Sequence, residues 1–181
     1  MSNVQPIREI NDIERMKIIL RKQSERNRFL FVFGINSALR ISDMLPLKVK
    51  DVRDKDYVFA TERKTKKRRA VLIDDPLKKE INEYIKDMSD DDYLFKSSRR
   101  NKLISRIQAY RIIRDAAKEL GLQNIGTHTM RKTFGYHFYQ RTKDIAELKE
   151  ILNHSSESIT KKYIDLNDDT RRSAYKVFGG L

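Results

Sequence analysis

The 181-residue chain contains no cysteine. Disulfides, thiolate nucleophiles and cysteine-based zinc sites are therefore excluded. Long apolar runs are missing too. None approaches the ~18 consecutive apolar residues that span a bilayer, and residues 1–11 carry no apolar signal core. A reducing cytoplasm is the simplest compartment, and no membrane partner is expected. No Gly-rich phosphate loop of the Walker type is present, and no compact Asp/Glu cluster suited to two metal ions stands out. Neither a metal nor a cofactor is therefore expected. Hydrophobic content is only 39% and aromatic content 9%, yet the apolar residues recur periodically. That pattern, with this length, implies one folded domain with a real core.

Acidic residues are in deficit. Lys and Arg number 39 against 26 Asp and Glu, a formal charge of +13 and a pI near 9.9. Such a surplus on a small domain favours a polyanionic partner, because neutralising phosphates releases condensed counterions. Nucleic acid is the first expectation; membrane surfaces and acidic proteins share the required sign.

Along the chain, residues 1–10 read as a flexible lead-in and Asn11 as a helix cap, with Ile13, Met16, Ile19 and Leu20 on one helical face. Residues 28–37 (RFLFVFGINS) read as a buried core helix. Ser42 is a candidate cap for a short helix that ends near Pro46. Residues 57–61 and 70–73 are short β-prone runs flanking the basic segment 62–69 (ERKTKKRR), which predicts a hairpin with a cationic tip. Pro76 suits the first turn of a helix through Leu77, Ile81, Tyr84 and Ile85. Residues 93–95 form a short buried segment, and further helices are expected over 103–120, 129–140, 145–153, 158–164 and 168–177, the first ended by Gly121. The class is mostly α with a small antiparallel β-sheet.

Several residues could carry chemistry, each with a plainer alternative. His128 and Arg131 open a helix and, three apart, share a face, so both could grip one phosphate; separately they are a histidine near a cap and a solvated arginine. Arg40 has a fork suited to bidentate phosphate binding, although an arginine beside a core helix is commonly paired, here with Asp43. Tyr163 could be a nucleophile or a half-buried core tyrosine. His154 could interact simply with a helix end. His137 reads as a packing residue.

Taken together, ALRISDMLPL (38–47), THTMRKTF (127–134) and LNHSSESITKKY (152–163) resemble the three boxes of the tyrosine recombinases, the family of phage integrases and Xer-type resolvases. The resemblance runs from about residue 10 to 175. Each box is degenerate alone, but their order and spacing together make a strong signal. The resemblance implies the catalytic-domain fold of that family and site-specific cutting and rejoining of DNA through a 3′-phosphotyrosyl link. By it, Tyr163 is the nucleophile and Arg40 and Arg131 clamp the non-bridging phosphate oxygens. His128 and His154 add hydrogen bonds and proton transfer, and a hairpin lysine protonates the leaving 5′-oxygen. Lys64 matches that lysine best, with Lys66 and Lys67 as alternatives in another register. Asp43 falls where the family keeps a bracing carboxylate.

Arg63, Lys66, Lys67 and Arg68 are expected to face the DNA backbone, and the basic run 96–102 with Arg106, Arg111 and Arg114 either supplies further phosphate contacts or forms an exposed helix face. Double-stranded DNA is the implied partner, with four copies synapsing two sites. Two residues depart from the pattern. Lys132 stands where the family usually has histidine, and Asn153 where glycine is usual, asparagine being next best for a left-handed turn. Residues 11–181 are read as the catalytic domain, without the N-terminal core-binding domain that most relatives carry. The alternatives are a related DNA-binding regulator that does not cut, and a topoisomerase-like enzyme that nicks and reseals.

Overall fold

Residue 24 starts the element around which the others assemble. In the computed structural model, which describes residues 4–61, 68–97, 102–166 and 175–179, the Ser24 hydroxyl accepts the Asn27 amide and caps helix α2 (Glu25–Ser37). Phe29, Leu30, Phe31, Val32 and Phe33 of α2 are all buried. A helix that is apolar all round must be enclosed by its neighbours, and each such side chain contributes about 1.5–3 kcal/mol on burial. Helix α1 (Ile10–Gln23) covers one side with Ile13, Met16 and Leu20. Arg28 is held on the same element by carboxylates, with Glu25 on one side and Glu80 Oε2 at 2.7 Å on the other.

After α2 the chain turns through the left-handed residue Ala38 (φ 54°) into a short helix α3 (Ile41–Met44). A two-stranded antiparallel sheet follows, β1 (Tyr57–Thr61) with β2 (Arg68–Leu72), in a register pairing Tyr57 with Leu72 and Thr61 with Arg68. Val58, Ala60 and Val71 face the core, while Tyr57, Phe59 and Leu72 are exposed, as the two-residue period of a half-buried sheet requires. Helix α4 (Asp75–Ile85), capped by Asp74, packs on α2. Helix α5 (Arg106–Glu119) precedes α6 (Thr127–Thr142), α7 (Ile145–Leu152) and α8 (Glu157–Tyr163). The molecule is mostly helical with one small antiparallel sheet, as its pattern implied.

Several local expectations shift. Asn11 lies inside α1, whose cap is Glu9. Ser42 lies inside α3; its hydroxyl donates to Asp43 Oδ1 at 3.0 Å and the cap position is Arg40. Helix α5 starts three residues late, because Leu103 bridges to Lys96 and the Ile104 amide donates to the Phe95 carbonyl. Of the helix expected over 168–177, residues 175–178 are helical and 167–174 lie outside the described residues.

The start of the chain differs more. Residues 4–9 are tied to the body of the protein where a free lead-in was expected. The Gln5 amide donates to the Asn124 carbonyl, the Ile7 amide donates to Thr133 Oγ1 at 2.9 Å, and Ile7 is only 3% exposed. His137 Nε2 donates to the Ile7 carbonyl at 3.0 Å. One buried isoleucine and three hydrogen bonds outweigh the polar look of the segment. Burial lowers the His137 pKa, with the Ile7 carbonyl opposing.

Two glycines permit close helix approach. A Cβ at Gly34 of α2 would lie 2.5 Å from Met130 Sδ of α6, and one at Gly135 of α6 would lie 2.8 Å from Ile164 Cγ2. Gly135 thereby seats α8 on a small cluster of Ala38, Leu148, Leu152 and Ile164. No helix of the described residues is long and apolar enough to cross a membrane.

Gly135→Ala is expected to cost about 1–3 kcal/mol through overpacking against Ile164. The melting midpoint should fall by about 2–4 °C per kcal/mol, read by calorimetry. A second expectation follows from His137. Its folded pKa lies below the unfolded value of ~6.5, so the unfolded chain binds more protons as pH falls through that value. Urea stability should therefore decline between about pH 7.5 and pH 5, and less steeply in His137→Phe.

Candidate active site

Arg131 is a cation only 2% exposed, placed one turn into α6. Its Nη1 donates to the Ala38 carbonyl at 2.6 Å and its Nη2 to the Leu152 carbonyl at 2.5 Å. These carbonyls belong to the turn after α2 and the end of α7. Both ends use non-glycine left-handed residues, Ala38 and Asn153 (φ 50°). Such backbone costs about 1–2 kcal/mol and persists only where the surroundings enforce it. Here the guanidinium satisfies the carbonyls that those turns point inward, through charge-assisted bonds.

The Ala38 turn also delivers Arg40, half-buried at the start of α3. The Asn153 turn delivers His154 to the same side. His154 meets the Tyr163 ring edge-on, with centroids 4.9 Å apart at 75°. Its Nδ1 lies 3.1 Å from Thr160 Oγ1, and that hydroxyl donates its proton to the Ser156 carbonyl. The histidine must then be the donor at Nδ1, so the neutral ring keeps its lone pair at Nε2.

Tyr163 ends α8 with its hydroxyl buried. Among the described residues it completes no well-formed hydrogen bond, although Arg131 approaches it as a donor. Burial raises its pKa above the usual phenol value; Arg131 and Arg40 oppose that, and Asp165 adds to it. His128 stands one turn before Arg131 with an exposed outer edge. Partial burial lowers its pKa first, followed by the charges of Arg131, Arg40 and Lys132. Its open edge keeps water nearby, which moderates the burial effect. At neutral pH the ring is therefore uncharged beside a strongly cationic cluster.

The fold thus gathers Arg40, His128, Arg131, His154 and Tyr163 from four separate stretches of chain. Asp43 lies on α3, three residues from Arg40, and accepts the Ser42 hydroxyl. Lys64, Arg63, Lys66 and Lys67 lie outside the described residues; Arg68 is the first residue of β2. Arg106, Arg111 and Arg114 are exposed on α5, with Arg114 paired to Asp115, and Lys96 is paired to Asp92. Sequence reasoning missed three contributors. Thr160 was visible only as part of a box; its place three residues before Tyr163, on the same face, was the available signal. The Lys132–Asp165 ion pair and the two carbonyls that hold Arg131 left no sequence signal.

Comparison with known proteins gives the family of the chain. Residues 7–170 match the model of the phage integrase family. The chain is 65% identical over 181 residues to the probable integrase/recombinase YoeC of Bacillus subtilis, with both proteins covered completely. The chain belongs to the phage integrase family, and with it to the tyrosine-type site-specific recombinases. More distant members of the family include tyrosine recombinase XerA of Pyrococcus furiosus, 29% identical over 156 residues, covering 84% of this chain and 54% of that protein. This chain therefore spans about half the length of that recombinase. Among solved structures, the crystal structure of XerA recombinase superposes with a TM-score of 0.75 at 24% identity, over 99% of this chain and 65% of that one. A lambda integrase dimer bound to a COC′ core site gives 0.70 at 18%, over 91% and 49%. These superpositions show that the fold is that of the catalytic domains of the phage integrase family.

Within this integrase site, Thr160→Val should release the His154 tautomer. In nitrogen-15 spectra of histidine-labelled protein, wild type is expected to show a protonated Nδ1 and an unprotonated Nε2, and the variant a mixture. An unchanged pattern would show that Thr160 does not set the tautomer.

Proposed function

We propose that this chain cuts and rejoins double-stranded DNA at specific sites, with Tyr163 as nucleophile. The observation that supports this reading best is the buried Tyr163 hydroxyl beside the His154 ring, within the field of Arg131 and Arg40. A phenol with a pKa near 10 is a poor nucleophile at neutral pH unless its charge is stabilised and its proton is taken. A scissile phosphate docked against the arginines has its negative charge offset as the transition state forms. The tyrosine oxygen attacks phosphorus, the bond to the 5′-oxygen breaks, and a 3′-phosphotyrosyl link replaces it. The phenolic proton passes to a neutral acceptor, for which His128 and the Nε2 of His154 have suitable chemistry. Lys64 of the basic hairpin segment returns a proton to the 5′-oxygen, with Lys66 or Lys67 as its alternatives. Asp43 braces the arginine side of the site. Because the phosphoester energy is kept in the tyrosyl link, rejoining by the 5′-hydroxyl needs no nucleotide cofactor.

The charge of +13 supports DNA as partner. Arg63, Lys66, Lys67 and Arg68 approach the phosphate backbone, together with the exposed arginines of α5. Strand exchange by this chemistry takes four tyrosines, so four copies act on two synapsed duplexes through a Holliday junction.

Nicked suicide duplexes drawn from the DNA flanking the gene, incubated with protein in EDTA and denatured in SDS, test the reading directly. Wild type should yield a covalent protein–DNA adduct and Tyr163→Phe none. An adduct in the variant would remove Tyr163 as nucleophile. Tight binding without an adduct in either protein would favour a non-cutting regulator, and relaxation of supercoiled DNA without strand exchange a topoisomerase-like enzyme.

A further inference from the structure

Lys132 follows Arg131 on α6, and its side chain is only 13% exposed. Its Nζ lies 3.1 and 3.3 Å from the two carboxylate oxygens of Asp165, itself 17% exposed. The same ammonium lies 5.5 Å from the centre of the Tyr163 ring. Asp165 is two residues beyond Tyr163, in a left-handed turn (φ 58°) that ends the helix carrying the tyrosine. One turn along α6 from Lys132, Gly135 admits Ile164. Two adjacent rungs of α6, one ionic and one steric, therefore grip the residues just past Tyr163.

This placement has an electrostatic consequence. Asp165 opposes ionisation of the Tyr163 hydroxyl, whereas Arg131 and Arg40 favour it. His154 contributes its ring edge. Lys132 of α6 reaches both groups, its ammonium lying 5.5 Å from the ring centre and 3.1 Å from the carboxylate. A partly buried pair is screened little by salt, so its effect on the phenol persists at physiological ionic strength.

We propose that Lys132 is a positioning residue for Tyr163: through Asp165 it holds the end of α8 against α6 and cancels the carboxylate's effect on the nucleophile. The proposal rests on Tyr163 being that nucleophile. It adds a role at a position where the sequence departs from its family, and it makes Lys132 and Asp165 a functional pair.

The test uses the full chain labelled with 3-fluorotyrosine, whose phenol titrates lower than tyrosine and is followed by fluorine NMR; Tyr163→Phe assigns the signal. In Lys132→Met, Asp165 is left unbalanced. The Tyr163 titration should move up by about one pH unit, and adduct formation on the nicked duplexes should slow about tenfold at neutral pH. Lys132→Arg should behave as wild type. The double variant Lys132→Met with Asp165→Asn should return the titration and the pH profile towards wild type, which loss of a mere structural staple would not allow. If Lys132→Met does not fold, Asp165→Asn alone should move the titration down.

A Tyr163 titration unmoved in Lys132→Met, or moved but not restored in the double variant, would overturn the proposal; so would one unmoved in Asp165→Asn when Lys132→Met does not fold. Failure of the underlying reading has a different signature, because an adduct would then persist in Tyr163→Phe or form in neither wild type nor that variant, whatever the titration shows.

Discussion

A single guanidinium holds the site together. Arg131 joins the turn after α2, the end of α7 and the body of α6, donating to carbonyls that would otherwise be buried and unpaired. A buried cation is expensive to desolvate, and here directed bonds to two inward-facing carbonyls offset that cost. Arg40 follows directly from one of the tethered turns and His154 from the other. Arg131 is thus part of the framework, and its structural bonds set the position from which it faces the tyrosine.

The turns themselves fit this account. Ala38 and Asn153 adopt left-handed backbone with a Cβ present, a conformation that most residues avoid. Asparagine tolerates it better than alanine, so Ala38 carries the larger local strain. That strain lies beside the site and is met by the core on one side and by Arg131 on the other. The close approaches at Gly34 and Gly135 belong to the same design, since they bring α6 close to α2 and to the Leu152 and Ile164 side chains.

The electrostatics of the site are a balance of opposed influences. Burial pushes the Tyr163 phenol up and holds it neutral, while two arginines pull it down. His128 is kept uncharged by partial burial and by those same cations. Thr160, by giving its proton to Ser156, sets which nitrogen of His154 carries hydrogen. The net field at the site is cationic, which is why the buried phenol and His128 are pulled in the same direction, away from their protonated forms.

Much of this was legible in the chain. The apolar run of α2, the β-prone segments and the three boxes follow from residue type and spacing alone, since helix period and strand period are local properties; the caps expected at Asn11 and Ser42 moved to Glu9 and Arg40. Arg40, His128, Arg131, His154 and Tyr163 stood out as a set only through the resemblance of the three boxes to those of a known family. What local signals could not supply was contact between distant residues. The tethering of residues 4–9 depends on Thr133, His137 and Asn124, more than a hundred positions away, and no local pattern encodes that pairing. Lys132 stood out only as a departure from its box and Asp165 not at all, until helix packing set them 3.1 Å apart beside the tyrosine. The sequence by itself determined the elements and the chemical identity of the site. Tertiary packing alone decided burial, partner and protonation, because those depend on which groups exclude water from one another across the core.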